Sequence, residues 1–430
     1  MPRDSTKIIK VSAFEFLDSR GNPTVAVEVI TEGGGKGLFI VPSGASKGKR
    51  EALELRDGDS RFGGKGVRKA IENIEKKIAP HILGMPADEQ EKIDKILLDI
   101  DRTKNKSFLG ANAILGVSIA CAKAAADTFG LELYEYLGGK IARFLPVPLS
   151  NIINGGEHAG WNVDFQEYMI VPAGFDSFEE AIRSASEIFH TLKKIIVDDG
   201  NLPLVGDEGG FAPLFPDNVS PLELLLKATE RAGYKPGEQI LFALDIASSS
   251  FYDSKRKLYI LRREKKELST DEFIDYIISI CSKYPIISVE DPLSEDDWEG
   301  WKKITPALKA KGIQVVGDDV FVTNPEIFSN GIREGIASAI LVKVNQIGTL
   351  SETFQVINTA KVFGYSTIIS HRSGDTEDTF IADLAVASNS CQIKTGSLSR
   401  SERTAKYNRL IYIEQKGNLT FPGKIAFRII

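Results

Sequence analysis

The chain has 430 residues, 42% of them hydrophobic and 26% charged, with a net charge of −6. That balance excludes a disordered chain, and the length exceeds what a single core fills, so two domains of unequal size are expected. The net acidity speaks against a general nucleic-acid binder, which needs a basic face.

Met1 to Phe16 carries scattered charges and no apolar core of a signal peptide, and no apolar run reaches membrane-spanning length. A cytoplasmic protein without membrane insertion is therefore expected. Cys121, Cys281 and Cys391 are odd in number and far apart, which favours reduced thiols over disulfides or a zinc cluster.

In chain order the pattern opens with an antiparallel three-stranded meander over 7–41. Alternation such as Thr24-Val25-Ala26-Val27-Glu28-Val29 is broken by Arg20-Gly21-Asn22-Pro23 and by Gly33-Gly34-Gly35, which supply the turns. Helical spacing follows at 66–80, 88–101 and 111–129, the last alanine-rich and almost wholly apolar, as a buried helix is. These elements make an α+β domain over residues 1–138, and Gly138-Gly139, Pro146 and Pro148 mark its junction with the rest.

Over 139–430, β-rich runs at 240–247, 285–290, 313–317, 338–344, 366–370 and 391–394 alternate with helical stretches. The fold class is thus α/β, a C-terminal (β/α)8 TIM-type barrel behind a smaller α+β domain. A doubly wound sheet shares the alternation, and in either fold the strand ends converge. The basic stretch Lys255 to Lys266 is interleaved with Leu258, Tyr259 and Ile260 and reads as a solvated hairpin.

Asp245, Glu290, Asp318, Lys343, His371 and Lys394 each follow one of these β-runs. Asp245, Glu290 and Asp318 brought together would repel unless a cation neutralised them, and an all-oxygen set suits Mg2+. Singly, each acid reads as well as a helix N-cap. Lys343 and Lys394, flanked by apolar residues, either cap buried acids or supply a base whose pKa nearby positive charge lowers.

Gly206-Asp207-Glu208-Gly209-Gly210 lets backbone approach a ligand, and Glu208 would be a general acid if its pKa is raised; a plain turn is the alternative. Ser370-His371-Arg372-Ser373 can clamp a phosphate or carboxylate, or form a surface turn. Gly63-Gly64-Lys65-Gly66 lacks the spacing of a P-loop.

These residues resemble the enolase family, in order and over nearly the whole chain. The segments are Asp18 to Thr24, Val41 to Ser46, Asn151 to Gly160, Gly206 to Gly210, Val289 to Pro292, Gly317 to Asp319, Lys343 to Gly348, Ser370 to Asp378 and Lys394 to Arg403. The resemblance implies reversible dehydration of 2-phosphoglycerate to phosphoenolpyruvate, in glycolysis and gluconeogenesis, with two Mg2+ per site.

By the same resemblance, Lys343 takes the C2 proton, and Glu208, assisted by Glu167, protonates the leaving 3-hydroxyl. Asp245, Glu290 and Asp318 hold the tighter metal, and Ser46, on a mobile loop near 42–48, helps bring in the second. Arg372 and Ser373 grip the phosphate, while Gln166, His158, His371 and Lys394 line the substrate. A homodimer or octamer is implied, and a barrel whose first turns depart from regular alternation.

One departure stands out. Lys47 follows Ser-Gly-Ala-Ser where the family usually has threonine, and its charge is expected to alter metal or substrate affinity without abolishing activity. A relative acting on another carboxylate would lack the phosphate clamp and the Ser46 loop; a non-catalytic enolase-like binding protein would leave catalytic positions unfilled.

Overall fold

A computed structural model describes residues 3–44 and 48–427, so the expectations for Ser46 and Lys47 lie outside the described residues. The chain opens with an antiparallel sheet of β1 (Ile8–Leu17), β2 (Pro23–Thr31) and β3 (Lys36–Ile40). β2 is its central strand, paired with β1 and β3 on its two edges, and is buried nearly throughout.

The helix Ala111–Phe129 packs on β2 and β3. A Cβ at Gly37 would lie 2.1 Å from the Ala120 carbonyl, so only glycine permits the sheet to come this close. Helical segments at 68–82 and 90–101 complete this unit.

The barrel begins with two strands that had no separate signal in the sequence, β4 (Val147–Asn154) and β5 (Glu167–Val171), followed by β6 (Leu241–Asp245). A small antiparallel sheet of β7 (Tyr252–Asp253), β8 (Leu258–Leu261) and β9 (Lys266–Leu268) then occupies the expected hairpin. The remaining barrel strands are β10 (Ile286–Glu290), β11 (Gln314–Gly317), β12 (Ala339–Val342), β13 (Ser366–Ser370) and β14 (Gln392–Lys394).

The barrel closes in the order β4-β5-β6-β10-β11-β12-β13-β14. All pairings are parallel save those of β5, which runs antiparallel to β4 and β6. Side-chain caps fix where the outer helices start: Ser177, Ser269, Asp297, Asn324 and Thr349 each accept a backbone N–H of the first turn.

Direction and register together position the site. Parallel strands deliver their last residues to one mouth, and Glu290 pairs with Asp245 there. Because β5 is reversed, its first residue, Glu167, pairs with Asp245 and Asn154 at that same mouth. Among the described residues no single helix is long and apolar enough to cross a membrane. Cys121, Cys281 and Cys391 are free thiols.

Candidate active site

At the mouth a small pocket is lined by His158, Gln166, Glu167, Glu208, Asp245, Lys343, Ser370, His371, Arg372, Ser373 and Lys394. Its walls are almost entirely polar.

Lys394, at the end of β14, is the cation around which the acids gather. Its Nζ donates to Asp245 Oδ2 at 2.9 Å and to Glu290 Oε2 at 2.9 Å, and lies 3.0 Å from Glu167 Oε1. Burial alone would push this amine down, but Asp245, Glu167, Glu290 and Glu208 outweigh it and hold Lys394 well above the usual lysine value. One ammonium does not balance these acids. Burial, then Asp245, raises Glu290 well above the usual carboxylate range, and burial, then Glu208, does the same to Glu167.

Lys343 Nζ is hydrogen-bonded to Asp318 Oδ2. The sequence leaves two readings for Lys343, a cap on a buried acid or a base lowered by nearby positive charge. Burial favours a lowered amine, as do Arg372 and Lys394, but the Asp318 carboxylate prevails and the amine stands above its ordinary value. Lys343 in turn holds Asp318 below the ordinary carboxylate value against burial.

Asp318 is gathered with Asp291 and Asp319, whose ligand oxygens lie within 4.8 Å of one another. Asp245 and Glu290 are gathered about Lys394 instead, while Lys343 engages Asp318. Asp291 Oδ1 and Oδ2 accept the amides of Asp318 and Asp319 at 2.9 Å each and so fix that turn. Burial and Asp318 push Asp319 up to about 8.

Glu208 sits in the turn 206–210, where Gly209 has φ +83° and a Cβ would meet the Ser399 carbonyl at 2.4 Å. Asn151 Nδ2 donates to Glu208 Oε2 at 2.9 Å, with His158 Nδ1 at 3.4 Å and His371 Nε2 at 3.6 Å from the carboxylate. The sequence makes Glu208 a general acid on the condition that its pKa is raised, with a plain turn as the alternative. The shift runs the other way: burial favours the acid form, but His371, His158, Arg403 and Lys394 together carry Glu208 well below the usual range.

Glu167 is thus pushed up and Glu208 down, and the two carboxylates lie within 4.8 Å of one another and of His158. Arg403 Nη1 donates to His371 Nδ1, which makes Nδ1 the acceptor and leaves the neutral ring's hydrogen on Nε2, facing Glu208. Burial first, and Arg403 among the charges, holds His371 well below its ordinary value.

Arg372 and Ser373 form one wall. Arg403 Nη1 and Nη2 donate to the carbonyls of Arg372 at 2.7 Å and Ser373 at 2.6 Å, and Asp375 Oδ2 accepts the Arg372 amide at 3.0 Å. Gln166 Nε2 donates to Asp245 Oδ2 at 3.3 Å.

Asp245, Glu290 and Asp318 are oxygen donors of the kind a hard divalent cation takes, and in this structure Lys394 and Lys343 engage their carboxylates. Both ring nitrogens of His158 and Oε2 of Glu167 are buried without a hydrogen-bond partner among the described residues, as groups awaiting a polar ligand are. Sequence reasoning gave no role to Asp291, Asp319, Glu51, Gln346 or Arg403. Asp291, Asp319, Gln346 and Arg403 fall in the enolase-like segments, but nothing local announces their partners.

Residues 8–137 match the family model described as "Enolase, N-terminal domain", and residues 142–425 match "Enolase, C-terminal TIM barrel domain". A curated protein from a Nitratiruptor species, named "Enolase", is 55% identical over 419 residues, covering 97% of this chain and 98% of its own.

Proposed function

The chain belongs to the enolase family, and from that premise we propose how its residues divide the work of the reaction. The activity is that of a phosphopyruvate hydratase, a hydro-lyase acting on a small molecule with a divalent metal. The finer reading is two Mg2+ per site, one on Asp245, Glu290 and Asp318 and a second brought in with Ser46. It also includes a cytoplasmic place in glycolysis and gluconeogenesis, a homodimer or octamer, and a domain boundary between residues 138 and 139.

Asp245, Glu290 and Asp318 would hold a divalent cation, which would supply positive charge where the substrate carboxylate gains negative charge. Lys343 then takes the C2 proton. Glu208, assisted by Glu167 beside it, protonates the departing 3-hydroxyl. His371 Nε2–H and Asn151 steady Glu208, while Lys394 keeps Glu167 and Asp245 in place. Arg372 and Ser373 hold the phosphate, and His158 and Gln166 complete the substrate's surroundings.

The observation that supports this reading is the single cavity that a base, an acid pair and an arginine wall share. The test is phosphoenolpyruvate absorbance with 2-phosphoglycerate present. Wild type should turn over only with Mg2+, and Lys343→Ala should not; turnover insensitive to chelation or to Lys343→Ala would overturn the assignment.

A further inference from the structure

Two anchors, at Ser43 and at Ala52, tie the small domain to the barrel. Ser43 exchanges backbone hydrogen bonds with Gly374 at 2.8 Å each, and the Ala52 amide donates to the Gln346 carbonyl at 2.9 Å. Between them Glu51 reaches into the barrel mouth, its side chain only 7% exposed.

Glu51 makes a two-pronged pair with Arg372: Nη1 donates to Oε2 and Nη2 to Oε1, both at 3.1 Å. Such a pair fixes the guanidinium plane, which a single contact cannot do. Nη1 also donates to Asn345 Oδ1 at 2.9 Å. Glu51 Oε1 further accepts the Gly48 amide at 3.0 Å and Gln346 Nε2 at 3.2 Å. Gln346 Nε2 donates in turn to Asp318 Oδ1 at 3.0 Å, and Gln346 Oε1 accepts from Thr323 Oγ1 at 2.7 Å. One carboxylate of the small domain thus touches the arginine of the proposed phosphate wall and, through one amide, the acid paired with Lys343.

We propose that Glu51 is a positioning residue that holds the Arg372 guanidinium in the orientation that receives the substrate phosphate, and so makes the small domain part of substrate recognition. The proposal rests on the assignment of Arg372 to the phosphate. Two effects of Glu51 oppose each other: its negative charge repels a phosphate, while its geometry orients the guanidinium. The orienting effect dominates, because an end-on pair buried to this degree sets direction, and a misdirected guanidinium in a closed cavity loses its hydrogen bonds to the ligand outright.

The experiment measures KM for 2-phosphoglycerate and the inhibition constant of inorganic phosphate for wild type, Glu51→Gln and Glu51→Asp. Glu51→Gln should raise both by about tenfold, the factor that about 1.4 kcal/mol represents, and leave the pH dependence of kcat unchanged. Glu51→Asp, which keeps the charge, should recover part of the loss. In an Arg372→Lys background Glu51→Gln should add nothing further, since its effect passes through the guanidinium.

Unchanged constants in a folded Glu51→Gln would overturn the proposal, as would a fall in KM, which would mean that charge outweighs orientation. Should Glu51→Gln fail to fold, Glu51→Asp decides in the same way, with a smaller rise expected. A wild type that binds no phosphate and turns over no 2-phosphoglycerate would instead overturn the site assignment itself.

Discussion

Replacing Lys394 by methionine removes the ammonium that touches Asp245, Glu290 and Glu167 together while keeping most of the side-chain volume. Lys394 is 2% exposed, so water cannot replace it, and stripping one partner from a buried ion cluster costs roughly 3–5 kcal/mol. That corresponds to a fall in the thermal midpoint on the order of 3–6 °C for a chain of this length.

The loss depends on pH in a definite sense. Lys394 has a folded value well above the unfolded one, so its stabilisation is fully present below about 10.4 and fades only above it. In Lys394→Met the acids Glu167 and Glu290, already raised, rise further. The folded state then binds more protons than the unfolded chain, and stability falls as pH rises through the acids' folded values. Scanning calorimetry at pH 5.5 and pH 8 should therefore show the larger deficit at pH 8. A midpoint unchanged at pH 8, or a larger deficit at pH 5.5, would refute the reasoning.

Asp318→Asn should raise the Mg2+ concentration for half-maximal rate by at least about tenfold, read by titration; an unaltered curve would remove Asp318 from the metal set. Chelation should abolish turnover, with recovery on adding Mg2+, and activity surviving exhaustive dialysis against chelator would contradict the metal reading. Lys47→Thr should shift the metal dependence or KM without loss of kcat, whereas identical constants would show that this lysine is inert.

The register of hydrophobic runs made much of the fold legible, because strands of a parallel barrel are buried on both faces and leave continuous apolar stretches that end in a polar residue. The run 285–290 ending in Glu290 and the helix 111–129 are cases where local pattern and tertiary environment agree. The first two barrel strands were not legible in this way: β4 carries polar Ser150, Asn151 and Asn154, and β5 begins with Glu167, so neither stands apart from loop. Only the antiparallel course of β5 brings Glu167 to the mouth, and direction of pairing leaves no local trace.

The site residues were legible as types at strand ends, and their charge states were not. Which carboxylate each lysine engages, and which of Glu167 and Glu208 is pushed up, depends on distances of a few ångströms across strands far apart in sequence. Glu51 was invisible for the same reason, since its partner Arg372 lies 321 positions away.

The division of labour between Lys343 and Glu208 is tested most directly by hydrogen exchange at C2 of 2-phosphoglycerate in heavy water, followed by NMR. Glu208→Gln should retain C2 exchange while losing phosphoenolpyruvate formation, and Lys343→Ala should lose both. Exchange that persists in Lys343→Ala, or vanishes with Glu208→Gln alone, would contradict the account.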